Sequence, residues 1–86
     1  MDSVQFVKEI MDHYKLKYSI ENISTNKDDI YTHKLIAIKD RYTLTMSFNN
    51  SDPHISCIFN IFKDGERDLS NFGKMDQILE NFIKNF

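Results

Sequence analysis

The chain has 86 residues, a formal net charge of -2, and a content of 41% hydrophobic and 28% charged residues. This composition is typical of one small folded domain and argues against a disordered chain. A single cysteine excludes an internal disulfide, and no apolar run approaches the roughly 18 residues of a membrane span. Because the N-terminus also lacks the pattern of a signal peptide, we expect a cytoplasmic protein that does not enter the membrane.

The first predicted element is a helix over residues 3–15. Asp2 can cap its first turn, and Gln5 stands where a reciprocal capping partner belongs. Apolar residues then recur at helical spacing: Val4, Val7, Ile10, Met11 and Tyr14. A helix with such a stripe must bury it against another element.

From Leu16 the apolar period changes to two, which predicts β-strands. A first strand begins there, a second covers residues 30–39, and a third covers residues 42–48 with clean alternation of apolar and Thr or Ser side chains. The Asp40-Arg41 connection lacks the glycine of the favoured two-residue turns. We therefore expect a loop of three to five residues between the second and third strands.

A fourth strand is predicted over residues 54–63. Asp64-Gly65 is a strong hairpin signal, so a short fifth strand is expected over residues 66–70, with an irregular lead-in to the last helix as the alternative. The C-terminal segment again has a helical apolar stripe: Met75, Ile78, Leu79, Phe82, Ile83 and Phe86.

These elements predict a single α+β domain over residues 1–86. Its order is an N-terminal helix, a four- or five-stranded antiparallel meander and a C-terminal helix, with both helices packed on one face of the sheet. The opposite face of the sheet has no helix left to cover it.

Two strands leave apolar side chains on that opposite face. The fourth strand presents Ile58 and Phe62 there, beside Asn60, if its other apolar residues face the helices. In a simple meander this strand would also be an edge unless it is covered by the fifth strand, by the same strand of a second copy, or by another protein.

The second strand has apolar residues on both faces. Either Ile36 and Ile38 or Leu35 and Ala37 must point away from the helices, whichever parity the strand takes. Exposed apolar side chains grouped on one face mark interaction sites. We therefore predict a partner-binding surface formed by Ile58, Phe62, Asn60, Ile36 and Ile38.

Residues with metal or catalytic chemistry are scattered along the chain. His54 and Cys57 are three positions apart, which on a strand puts them on opposite faces, so we expect Cys57 in the core and His54 outside it. His13 falls near the end of the first helix and His33 lies in the second strand. No spacing typical of metal ligands relates them, and the sequence predicts no metal site and no cysteine nucleophile.

Other catalytic patterns are missing. Asp64, Glu66 and Asp68 form an acidic run without the spacing of a calcium loop, which is typical of a solvated turn. Gly65 and Gly73 are the only glycines, too few for a glycine-rich phosphate loop. We expect no cofactor and no enzymatic activity.

The predicted function is that of a non-catalytic module that binds another protein, or a second copy of itself as a homodimer through the sheet. Residues with A+T-rich codons make up half the chain. This bias predicts an A+T-rich genome, such as that of a low-G+C bacterium, its phage or a virus. A cysteine-poor domain of this origin without catalytic residues suits a phage- or virus-encoded accessory protein that binds and inhibits a host protein in the host cytoplasm. A small nucleic-acid-binding protein is the alternative, although the eleven basic residues are scattered among thirteen acidic ones.

Overall fold

The fold is a helix, a five-stranded antiparallel meander and a second helix, as predicted. The computed structural model describes residues 2–51 and 56–86. Each strand pairs with its neighbours in the chain, in the order β1-β2-β3-β4-β5. The elements are α1 (Ser3–His13), β1 (Lys17–Asn22), β2 (His33–Lys39), β3 (Tyr42–Phe48), β4 (Cys57–Lys63), β5 (Glu66–Gly73) and α2 (Met75–Asn85).

Two side chains cap the start of α1. The Asp2 carboxylate accepts a hydrogen bond from the backbone N–H of Gln5 at 2.8 Å, as predicted, and the Asn50 side-chain oxygen accepts one from the backbone N–H of Val4 at 2.8 Å. The Gln5 amide donates to Glu9 instead of returning to Asp2. Side-chain oxygens thus bind two of the N–H groups that a helix start leaves without partners.

The end of α1 was predicted two residues too late. Lys15 adopts a left-handed conformation with φ of 56°. The N–H of Leu16 donates to the carbonyl of Met11 at 3.0 Å, and the N–H of Lys15 donates to that of Asp12 at 3.2 Å. This is a Schellman ending, which normally uses glycine, so the lysine gave no sequence signal for it.

The connection between β2 and β3 also differs from the prediction. Lys39 pairs directly with Tyr42, so Asp40 and Arg41 form a two-residue turn rather than a longer loop. Asp40 accepts the left-handed conformation, with φ of 55°. Aspartate tolerates this conformation better than most residues, because its short polar side chain can bond locally.

Two strand boundaries were shifted. β2 begins at His33 rather than at residue 30, because residues 23–32 form a loop around the Asp29 carboxylate, which accepts hydrogen bonds from the backbone N–H groups of Thr25 and Asn26. These bonds hold the pKa of Asp29 below its ordinary value. β5 runs to Gly73, three residues beyond the predicted end. The first two residues predicted for the fourth strand lie outside the described residues, and the third, Ser56, precedes β4, which begins at Cys57.

The core lies between the two helices and one face of the sheet. Both helices and alternate positions of the strands contribute to it, which confirms that both helices pack on the same face. Its buried apolar residues are Val7, Met11, Leu35, Ala37, Leu44, Met46, Phe48, Cys57, Phe59, Ile61, Met75, Ile78, Leu79 and Phe82.

Candidate protein-binding face

The outer face is the side of the sheet that points away from both helices. Alternate residues of β1 to β4 form it, and on β5 a register shift beside Phe62 leaves Arg67 three positions from Ser70. The strand register arranges the residues of the face in three rows that run across the strands. The turn row, nearest the two tight turns, is Lys17, Ile38, Thr43, Phe62 and Arg67. The central row is Ser19, Ile36, Thr45, Asn60 and Ser70. The far row is Glu21, Lys34, Ser47, Ile58 and Phe72.

All five residues of the predicted partner-binding surface lie on the outer face. The sequence left open which residues of β2 face the helices. Leu35 and Ala37 are fully buried, so Ile36 and Ile38 point to the outer face. The register brings the five into one continuous area, with a single β3 residue between the β2 and β4 members of a row. They are Ile36, Ile38, Ile58, Asn60 and Phe62.

Phe72 is the largest exposed apolar side chain of this face and was not among the predicted residues. It is 65% exposed and lies directly opposite Ile58 in the β4–β5 register. The prediction ended the fifth strand at Ser70 and so left Phe72 outside the sheet. The sequence could have placed Phe72 on this face, because it lies two residues after Ser70 and residues i and i+2 of a strand point to the same face.

The charged residues of the outer face lie mainly at its margins. Lys17 and Glu21 are at opposite ends of β1, and Arg67 is on β5, in the same row as Lys17. Lys34 is the only charged residue on the three inner strands of this face. The middle of the face is therefore apolar or carries neutral hydrogen-bonding groups.

Comparison with protein-family models, with curated proteins and with solved structures finds no match for this chain. Within residues 2–51 and 56–86, neither helix combines the length and apolar character that crossing a lipid bilayer requires. The function of the outer face therefore has to follow from its own residues and their arrangement.

Cys57 is buried beneath the helices, as predicted, with 1% of its surface exposed. Burial raises the pKa of its thiol to about 11, so the nucleophilic thiolate is disfavoured at neutral pH. The interpretation of His54 as its counterpart on the other face lies outside the described residues. Position and pKa together argue against a nucleophilic role for Cys57.

The two described histidines lie in separate places. His13 is in the last turn of α1, with its ring edge-on to Tyr14, and His33 bonds to the Thr32 hydroxyl at 2.8 Å while stacking on Phe48. Among the residues that the structure describes, no three His, Cys, Asp or Glu side chains are grouped so that they could hold a metal ion.

The acidic run after β4 begins in the turn at Asp64 and continues into β5 with Glu66 and Asp68. The guanidinium of Arg41 forms a two-pronged ion pair with Asp64, which holds the pKa of that carboxyl below its ordinary value. Glu66 pairs in register with Lys63, and Asp68 is exposed. Basic residues thus lie beside Asp64 and Glu66. The outer face is the larger exposed feature of the described residues.

Proposed function

We propose that the protein is a non-catalytic protein-interaction module that binds through its outer face. The proposal rests on one observation: the exposed ring of Phe72 adjoins Ile58, in a sheet face on which neither helix packs. A large apolar side chain gains about 1.5–3 kcal/mol when it is fully buried. Several such side chains on one face therefore favour a partner that covers them.

The outer sides of the strands differ in polarity. β3 has only Thr43, Thr45 and Ser47 on its outer side, as expected for a strand whose outer side faces water. The strands on either side of β3 place isoleucine or phenylalanine at most of their outer positions. The apolar character is thus local to β2, β4 and the end of β5.

The charge pattern favours a protein over a nucleic acid as the partner. Lys17 and Arg67 lie on opposite edge strands of the sheet, and Glu21 shares β1 with Lys17. A phosphate backbone is bound by a continuous basic stripe, commonly with aromatic rings for the bases. Binding through an apolar surface would also suffice for the inhibitory role towards a host protein that the sequence suggests.

Affinity capture from a host lysate tests the proposal. The wild-type protein is compared with a double variant, Ile58→Asp with Phe62→Asp, which places two carboxylates in the apolar part of the outer face. We expect the variant to lose at least about 90% of the captured partner, because burying an unpaired charge costs several kcal/mol.

A matched control carries the same two added charges on the far side of the molecule. Gln77→Asp with Asn81→Asp places them on the exposed side of α2, and this variant should capture as much as the wild type. Circular dichroism confirms that all three proteins are folded. A partner retained equally by the outer-face variant would contradict the proposal, as would a capture that rises and falls with nucleic acid and salt.

A further inference from the structure

The outer face is complementary to itself. On β1, Lys17 in the turn row and Glu21 in the far row have opposite charges. On β4, Phe62 in the turn row and Ile58 in the far row are both apolar. If the turn row of one copy lies over the far row of a second copy, opposite charges therefore meet on β1 and apolar groups meet on β4.

We propose that a second copy of the chain covers the outer face, related to the first by a two-fold axis that runs across the strands along the central row. This inference rests on the proposed function, because it names the partner of the same surface. Such an axis places each strand over the same strand of the other copy with its direction reversed, and it superposes each turn row on the other copy's far row.

Most contacts of this arrangement are favourable; the exception is on β2, where Lys34 of one copy faces Ile38 of the other. Lys17 of one copy faces Glu21 of the other, and the relation occurs twice by symmetry. On β5, the guanidinium of Arg67 faces the exposed ring of Phe72, a cation–π pairing. Phe62 packs against Ile58 in the same manner, and the rows on β3 bring Thr43 against Ser47.

The central row lies on the axis and meets itself. Ile36 packs against its own copy, and Asn60 faces Asn60. An amide side chain holds both a donor and an acceptor, so two asparagines related by a two-fold axis can each donate to the other. Thr45 has the same double capacity through its hydroxyl.

The other two-fold axis in the plane of the face runs along the strands and is disfavoured. It would place β1 over β5 and bring Lys17 against Arg67, since these two residues share the turn row. Two like charges that face each other at the margin of an interface repel one another. The positions of these two cations thus select the axis that runs across the strands.

The area of the face is at the lower limit for a specific dimer interface. Five strands about 4.8 Å apart, each about seven residues long, give a face of roughly 24 by 20 Å, or about 1,000 Å² for two copies. Sheets that pack face to face lie about 10 Å apart with strand directions rotated by about 30°, which shifts the outer rows by about 5 Å. The long side chains of lysine and arginine span such a shift.

Sedimentation equilibrium of the purified protein is the first test. Over about a hundredfold range of concentration, the wild type should approach twice the chain mass of 10.2 kDa. Ile58→Asp with Phe62→Asp should raise the dimer dissociation constant by at least about 100-fold, because it sets a carboxylate of one copy against a carboxylate of the other at both symmetric positions. The control variant Gln77→Asp with Asn81→Asp should dimerise as the wild type does.

Exchanging the charges of Lys17 and Glu21 on β1 tests the direction of the two-fold axis. Lys17→Glu alone should weaken the dimer about tenfold, because it sets two glutamates against each other at both symmetric positions. Adding Glu21→Lys to the same chain restores opposite charges between copies and should recover most of the affinity. Both effects should shrink as the salt concentration rises.

Each result has a definite meaning. A dimer that survives the Ile58→Asp and Phe62→Asp changes in a folded protein would overturn the inference, and so would a double charge exchange that dimerises no better than Lys17→Glu. A wild type that stays monomeric throughout also overturns it. In that last case the proposed function is judged separately, by whether capture from the lysate still depends on Ile58 and Phe62.

Discussion

Cys57 illustrates how burial changes the acidity of a side chain. Its pKa is raised from the ordinary 9.0 to about 11 because the core excludes water from the thiol. We expect a thiol-specific reagent at pH 8 to label the folded protein at least about 100-fold more slowly than the protein in denaturant. Absorbance of the released reagent measures both rates. Equally fast labelling of the folded protein would show that the thiol is accessible.

The same pKa gives a pH dependence with a definite sign. Folding favours the protonated thiol, so the stabilisation from this group is complete below pH 9.0 and is lost as the pH rises through about 11. Between these limits the free energy of unfolding should fall more steeply in the wild type than in Cys57→Ala. Urea unfolding at several pH values measures both slopes, and identical slopes would contradict the assignment.

The end of α1 has a residue poorly suited to its conformation. Lys15 has φ of 56° at the position of a Schellman ending that usually holds glycine. Lys15→Gly should raise the free energy of unfolding by about 1 kcal/mol, because it removes the steric cost of left-handed backbone. Thermal or urea unfolding measures the change. Lys27→Gly in the exposed loop serves as the control and should bring no gain.

The residues of β4 alternate between the two faces of the sheet. Ile61 is buried under the helices, whereas Ile58 lies half-buried on the outer face. Ile61→Ala should lower the free energy of unfolding by about 2–5 kcal/mol, and Ile58→Ala in the monomer by less than about 1.5 kcal/mol. Urea unfolding at low protein concentration makes the comparison. Equal losses would mean that the outer face is packed within the monomer.

The strands and helices could be predicted because their apolar periods differ, and the alternation in β4 was enough to assign its two faces. Two of the errors occurred where the backbone is left-handed at residues other than glycine, at Lys15 and Asp40. Neither position is followed by the glycine that signals the hairpin at Asp64. Ile36 and Ile38 could be assigned to the outer face only once the register was known, since β2 is apolar on both sides. Phe72 was missed because the polar residues of β5 hide the length of that strand.

In the whole molecule, Lys39 ties the sheet to α2. Its ammonium donates to the backbone carbonyls of Ile83 and Phe86 at the C-terminal end of the helix, where the helix dipole favours a cation. Lys39→Met keeps the apolar stem and removes the donors, so the free energy of unfolding should fall by about 1 kcal/mol. Lys27→Met, in the exposed loop, is the matched control and should change it by less than about 0.5 kcal/mol in urea unfolding.

The order of the elements has a consequence for synthesis on the ribosome. Every strand pairs with its neighbour in the chain, so the contacts within the sheet are local in sequence, which favours rapid folding. The helix that brings Ile78, Leu79 and Phe82 to the core follows the last strand. A nascent chain that has completed β5 but not α2 therefore has an unsealed core beside its outer face. Both sides of its sheet expose apolar side chains in that interval, which is when the chain is most prone to aggregate.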